Sequence, residues 1–217
     1  MTKLLPAVAA ALSSIFMTGC LFPAQSYHDV AYYDLATIRL EMPENLPILV
    51  DPFQSSESLQ PQMTYLTNDN RVMVDSYNRW FQKPEHLITR YLQTAFSTNQ
   101  PAIQEAANFR RAMPNGVRIS GSVFSMRIDL KRREALLGVN YLIRLVTDGE
   151  NALVLTNSGV FSARFNNESP VEFAAAMSEA AEKLVLQIQN EIHILQKQRG
   201  NDSHVKTTAP VENNNAH

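Results

Sequence analysis

The chain has one cysteine, Cys20, in 217 residues, so it cannot close an internal disulfide and must hold together by packing alone. Its seven glycines include no phosphate-cradling pattern, which leaves little room for a nucleotide loop. Charge of one sign is also missing. Nineteen basic against twenty-one acidic residues give a net −2, with no basic excess to attract nucleic acid. No apolar run reaches the roughly 18 residues needed to cross a bilayer. The five histidines (His28, His86, His193, His204 and His217) lack metal-ligand spacing and read as structural or solvated side chains. Ser120-Gly121-Ser122 lacks the glycine two places before the serine that a nucleophile elbow needs, and no paired carboxylates suggest acid–base work. Neither an enzyme nor a cofactor is expected.

What is present begins at the N-terminus. Lys3 precedes an apolar run from Leu4 to Met17, of signal-peptide length, closing in Met17-Thr18-Gly19-Cys20. This arrangement resembles the lipobox of bacterial lipoproteins. The resemblance implies cleavage between Gly19 and Cys20, diacylglycerol and N-acyl modification of Cys20, and so a lipid attachment site there. An ordinary secretory signal with a chance cysteine is the plainer alternative. One acyl chain holds a protein only marginally, whereas two or more anchor it stably. Leu21 follows the cysteine; by resemblance to sorted lipoproteins, leucine there directs the chain to the outer membrane. Loss of residues 1–19 removes one lysine and no acid, leaving 18 basic and 21 acidic side chains and a net −3. The expected organisation is a signal peptide over 1–19, an acylated tether over 20–30, one domain over 31–199 and a disordered tail over 200–217.

Along the domain, a strand is expected at 31–35, where Tyr33 and Leu35 alternate with Asp34, and another at Ile48-Leu49-Val50 between prolines. The polar stretch 54–70 reads as a loop with Met63, Tyr65 and Leu66 as anchors. It leads to a strand at Arg71-Val72-Met73-Val74 and on to Asn78-Arg79-Trp80. Pro84 suits the first turn of a helix whose apolar face is Leu87, Ile88, Tyr91, Leu92, Ala95 and Phe96. A short second helix is expected over 101–113. From Val117 the pattern turns to an antiparallel meander. A phase change implies a bulge near Gly121, and Lys131-Arg132-Arg133-Glu134 forms a charged turn. A strand carries Leu137 to Leu145, and Asp148-Gly149 makes a hairpin. The last strand, over 152–163, reads as interrupted at Asn157-Ser158-Gly159. Ser169-Pro170-Val171-Glu172 then opens a long helix with Phe173, Met177, Ala180, Leu184, Ile188 and Leu195 on one face. The fold class is α+β: a mixed, largely antiparallel sheet with two main helices packed on one face. Trp80 reads as a core plug. Lys131-Arg132-Arg133 reads as a solvated tip, with attraction to anionic headgroups or an acidic partner as its sharper alternative.

The lipobox, the Tyr-Tyr-Asp-Leu and Pro-Ile-Leu-Val-Asp-Pro-Phe strands, the Arg79-Trp80…Pro84 junction and the meander-then-helix order resemble the ABC-type transport auxiliary lipoproteins over about residues 17–195. The resemblance implies a non-enzymatic docking component of a Mce-type system moving phospholipid between inner and outer membranes. Its implied partners are a Mce-domain protein, an inner-membrane permease, outer-membrane lipid through acylated Cys20, and further copies of itself in a homo-oligomeric ring. The implied place is the periplasmic face of the outer membrane. A lipoprotein regulator of a cell-wall synthase, or another envelope assembly factor, is the competing reading; synthase regulators tend to need a long tether, and 21–30 is short. An envelope hydrolase is opposed by the missing catalytic groups.

Overall fold

The computed structural model describes residues 29–40, 46–55, 59–97, 116–146 and 153–205. Gly19 and Cys20, the 101–113 segment and the Asp148-Gly149 turn lie outside the described residues.

Three long strands form the meander: β6 (Gly116–Asp129), β7 (Glu134–Val146) and β8 (Leu153–Arg164), joined in antiparallel register. Alternation in β7 places Ala135, Leu137, Val139, Tyr141, Ile143 and Leu145 on the covered face, each 2 % exposed or less. Asn140 and Arg144 look outward. The remaining strands are short: β1 (Ala31–Tyr33), β2 (Ile48–Val50), β3 (Gln54–Ser55), β4 (Gln62–Leu66) and β5 (Val72–Trp80). Together they form an eight-stranded sheet of order β1-β5-β4-β6-β7-β8. β2, β3 and β4 follow one another along the second edge of β6, all parallel to it. Pro47 and Pro52 bracket β2 and punctuate that edge. The ladder is closed there by Val117 N–H to Pro47 O (2.9 Å), Asp51 N–H to Ile119 O (2.8 Å) and a two-pronged Arg118–Asp51 pair (2.5 and 3.0 Å).

Two helices cover one face. α1 (Pro84–Ala95) starts at its proline and buries Leu87, Ile88, Tyr91, Leu92 and Ala95. α2 (Pro170–Val205) is capped by Ser169, whose Oγ accepts the Glu172 N–H at 3.3 Å. Phe173, Met177, Ala180, Leu184, Ile188 and Leu195 are all buried, as the periodicity requires, and are joined by Ala181, Val185 and Ile192. Each fully buried Leu or Ile of this face contributes about 1.5–3 kcal/mol of transfer free energy. The helix runs to Val205, past Gly200 where the tail was expected to begin. Residues 34–40 cross the helices: Ala36 N–H donates to Ser178 Oγ (3.0 Å), Leu40 N–H donates to Ala95 O (3.0 Å), and Asp34 pairs with Arg90. The α+β expectation holds, with the helices on one face.

Local expectations fare unevenly. The 54–70 stretch holds β3 and β4; Met63 is buried (0 % exposed), while Gln62, Thr64, Tyr65 and Leu66 are half-buried. The 71–74 strand extends to Trp80. The break expected at 157–159 is absent. Asn157 stays in β8 because its amide reaches Glu191 (2.7 Å), and Ser158 Oγ donates to Asn140 Oδ1 (2.6 Å). The register shift of β6 falls between Val123 and Ser125, not at Gly121. The extra residue is Phe124, whose ring rests where a Gly138 side chain would be, 2.4 Å from an ideal Cβ. Gly121 has a different duty. A Cβ there would lie 2.3 Å from Asn140 O and 2.6 Å from the Phe53 ring.

Candidate functional site

The residues singled out for chemistry do not converge. His86 and His193 are exposed on separate helices. Among the described residues, no three His, Cys, Asp or Glu side chains are grouped to hold a metal ion. Ser122 lies on the uncovered face of the sheet, in a polar row with Asn140 and Ser158. At the 131–133 tip, Asp129 accepts the Arg132 N–H (2.9 Å). Arg133 donates to Asn166 O with its guanidinium 5.8 Å from the Phe165 ring centroid. Lys131, Arg132 and Arg133 are all exposed, with the Arg132 guanidinium 3.9 Å from Asp129.

The Asn78-Arg79-Trp80 junction is built in more detail than its sequence suggests. Between Gln62↔Arg79 and Thr64↔Val74 the β4–β5 ladder jumps, so the regular register with β4 is interrupted over residues 75–78. Asp75 sits at this interruption. Its Oδ1 accepts Tyr77 N–H (2.8 Å) and Asn78 N–H (2.9 Å), and its Oδ2 accepts Asn78 Nδ2 (2.8 Å) and Tyr65 Oη (2.7 Å). Tyr33 Oη donates to Asn78 Oδ1 (3.2 Å), tying β1 to the same hub. Burial pushes the Asp75 pKa up, but the bonds from Asn78, Tyr77 and Tyr65 outweigh it and hold the carboxyl below its ordinary value. Tyr65 is driven the other way, above the ordinary phenol value, first by burial and then by its bond to Asp75. Trp80, 1 % exposed, fills the core beneath this junction as a plug.

The kink leaves apolar side chains outside. Tyr32, Val72, Met73, Val74, Tyr77 and Phe81 are each 45–60 % exposed, all on β1, β5 or the residue following β5. Val72, Met73 and Val74 pair with β4 on one side; among the described residues no strand pairs with them on the other. Arg90 stands 5.8 Å from the Phe81 ring centroid. At the opposite edge Lys183 Nζ donates to Ser162 O (2.8 Å) and pairs with Glu179 (2.9 Å), blunting the end of β8. Sequence reasoning missed a further cluster. Gln187 Nε2 donates to Tyr141 Oη (3.0 Å) and Glu191 Oε1 (3.1 Å), which also takes the Asn157 amide. This polar cluster pins α2 across β7 and β8.

The family model for the ABC-type transport auxiliary lipoprotein component matches residues 40–189. The chain belongs to that family. No curated protein matches. Among solved structures, an uncharacterised protein is similar at TM-score 0.56 and 12 % identity, covering 76 % of this chain and 99 % of that one. A protein from Xanthomonas campestris, of family DUF330, is similar at TM-score 0.49 and 10 % identity over 79 % of this chain and 99 % of that one. At such identity the first likeness shows the fold alone. Membership makes this chain an auxiliary component of ABC-type transport and a member of a lipoprotein family. No helix among the described residues is long and apolar enough to cross a membrane.

Proposed function

We propose that the mature chain hangs by an acylated Cys20 from the periplasmic face of the outer membrane and serves as the docking component of a Mce-type ABC system moving phospholipid between the inner and outer membranes. The observation that carries this reading is the family match over 40–189, the body of the fold. It is supported by the Met17-Thr18-Gly19-Cys20 signal end and by Leu21 after it. The body acts without catalysis: it receives a Mce-domain protein that is itself joined to an inner-membrane permease, and it assembles with its own copies in a ring. In this reading residues 1–19 are removed, 20–30 form the tether, and the docking domain begins at 31 and takes in the helix that runs to Val205.

The tether restricts where docking happens. Residues 21–29 extend no more than about 3.5 Å each, so the domain stands within about 30 Å of the lipid. Two measurements test the reading. Cys20→Ala is expected to move the protein from the outer-membrane to the soluble fraction of the envelope, and intact-mass analysis of the native protein is expected to show the acyl chains on Cys20. Equal membrane recovery of variant and native protein removes the anchor from the account. Photocrosslinkers placed on the exposed side of α2, at Leu186 and Ile194, and on the 131–133 tip are expected to capture a Mce-domain protein in cells; capture of a cell-wall synthase in its place overturns the transport role.

A further inference from the structure

Eleven large apolar side chains are exposed among the described residues. Six of them, Tyr32, Val72, Met73, Val74, Tyr77 and Phe81, share one edge of the sheet. The other five are spread over β8 and α2. A concentration of this kind on one edge of a soluble-looking body marks a contact surface.

The direction of β1 says what lies opposite it. β1 runs parallel to β5, with Ala31 against Asn78 and Tyr32 against Arg79. Going backwards from Ala31, the chain therefore heads toward the Val72–Val74 end of β5. Asp29 and Val30, the first described residues, thus lie on the Val72–Val74 side of β1. Only nine residues, 21–29, separate Cys20 from Val30. Their reach is about 30 Å at most. An anchor that short, entering the fold at β1, holds the β1–β5 edge next to the lipid, with β8 five strand spacings of about 4.8 Å farther across the sheet. It also makes the encounter intramolecular, at an effective concentration near the millimolar range, so a weak surface affinity suffices. The chemistry suits the depth: tyrosine rings with a polar tip, a phenylalanine and short aliphatic chains settle at the boundary between headgroups and acyl chains.

We propose that the apolar edge formed by β1, β5 and Phe81 lies on the phospholipid surface that holds the anchor and fixes the orientation of the sheet relative to the membrane. This rests on acylation of Cys20. The edge is a second, non-covalent membrane contact, and it leaves β8 and the outer side of α2 facing the periplasm for partners.

The lone cysteine provides the test. In the acylated full-length mature protein Cys20 is blocked, so Tyr32→Cys, Val74→Cys, Phe81→Cys and Val160→Cys each carry a single free thiol for an environment-sensitive dye. The labelled proteins are bound to vesicles of phosphatidylethanolamine and phosphatidylglycerol containing a lipid with a nitroxide near the top of one acyl chain. Quenching at positions 32, 74 and 81 is expected to exceed that at position 160 about fivefold or more, as for side chains at the headgroup boundary. Equal quenching at all four positions, in protein that sediments with the vesicles, overturns the proposal and leaves the anchor standing. Dye at 32, 74 and 81 shielded from water but not quenched by lipid also overturns it, because a second copy or a soluble partner then covers the edge. If mass analysis shows an unmodified Cys20 and the protein fails to sediment, the anchoring reading falls and takes this proposal with it.

Discussion

Asp75 shows how one side chain can take the place of a stretch of ladder. Four donors converge on its two oxygens, two of them the backbone N–H groups of Tyr77 and Asn78, at the jump in the β4–β5 register. Truncation to alanine strands those donors, so Asp75→Ala is expected to cost about 1–3 kcal/mol of unfolding free energy, read as a lower urea midpoint at pH 7. The pH dependence has a definite sign. Burial alone would raise the carboxyl, yet the bonds from Asn78, Tyr77 and Tyr65 hold it below its ordinary value in the folded state. The unfolded chain therefore takes up its proton first as pH falls. The stabilisation is whole above the ordinary aspartate value of about 3.9 and is lost as pH drops through the lower folded value. The gap between native and Asp75→Ala midpoints should accordingly narrow from pH 7 to pH 3; a gap that widens would mean the carboxylate is not what holds the kink.

At the scale of elements, the close approach of β6 to β7 depends on Gly121. A methyl there meets the Asn140 carbonyl oxygen at 2.3 Å, a backbone atom that cannot swing away, with the Phe53 ring behind it at 2.6 Å. Gly121→Ala is expected to destabilise by about 1–3 kcal/mol in denaturant titration, as overpacking does; a variant of native stability would show that the pair can part without loss. The same region marks the limit of what could be read in advance. The bulge was legible as a phase change in apolar residues, but its place was not, because Phe124 is accommodated by Gly138, a residue fourteen positions away on the partner strand. Ser169-Pro170 and Pro84 announced their helices correctly because capping and proline act locally. β4 was hidden because Met63 and Tyr65 stand between polar residues, Gln62 and Thr64, whose half-burial no apolar pattern announces. The candidate docking edge was hidden for the opposite reason: Val72-Met73-Val74 has the composition of a buried strand. Only the sheet order, which places it beside a three-residue β1, shows that it is exposed.

Over the whole molecule, one apolar cluster runs from Leu35 through Trp80 and the strands of the meander to Leu195 near the far end of α2. The covered face of the sheet and both helices share it, and the crossing segment 34–40 is laced to α1 and α2 by Ala36–Ser178 and Leu40–Ala95. The uncovered face is kept wet at its middle by the Ser122–Asn140–Ser158 row, so exposed apolar surface gathers at the β1–β5 edge. A body with one core has no boundary along which to come apart in stages, and it should unfold cooperatively. The chain supplies its own reporter, since Trp80 is its only tryptophan and is 1 % exposed within that cluster. Fluorescence of Trp80 follows the β1–β5 end, whereas far-ultraviolet circular dichroism is weighted by α2, whose buried face reaches the β8 edge. The two signals are expected to trace coincident urea transitions with one midpoint. A fluorescence change that precedes the loss of helix would show that the β1–β5 edge opens by itself, and that the proposed membrane contact steadies an element the core does not hold.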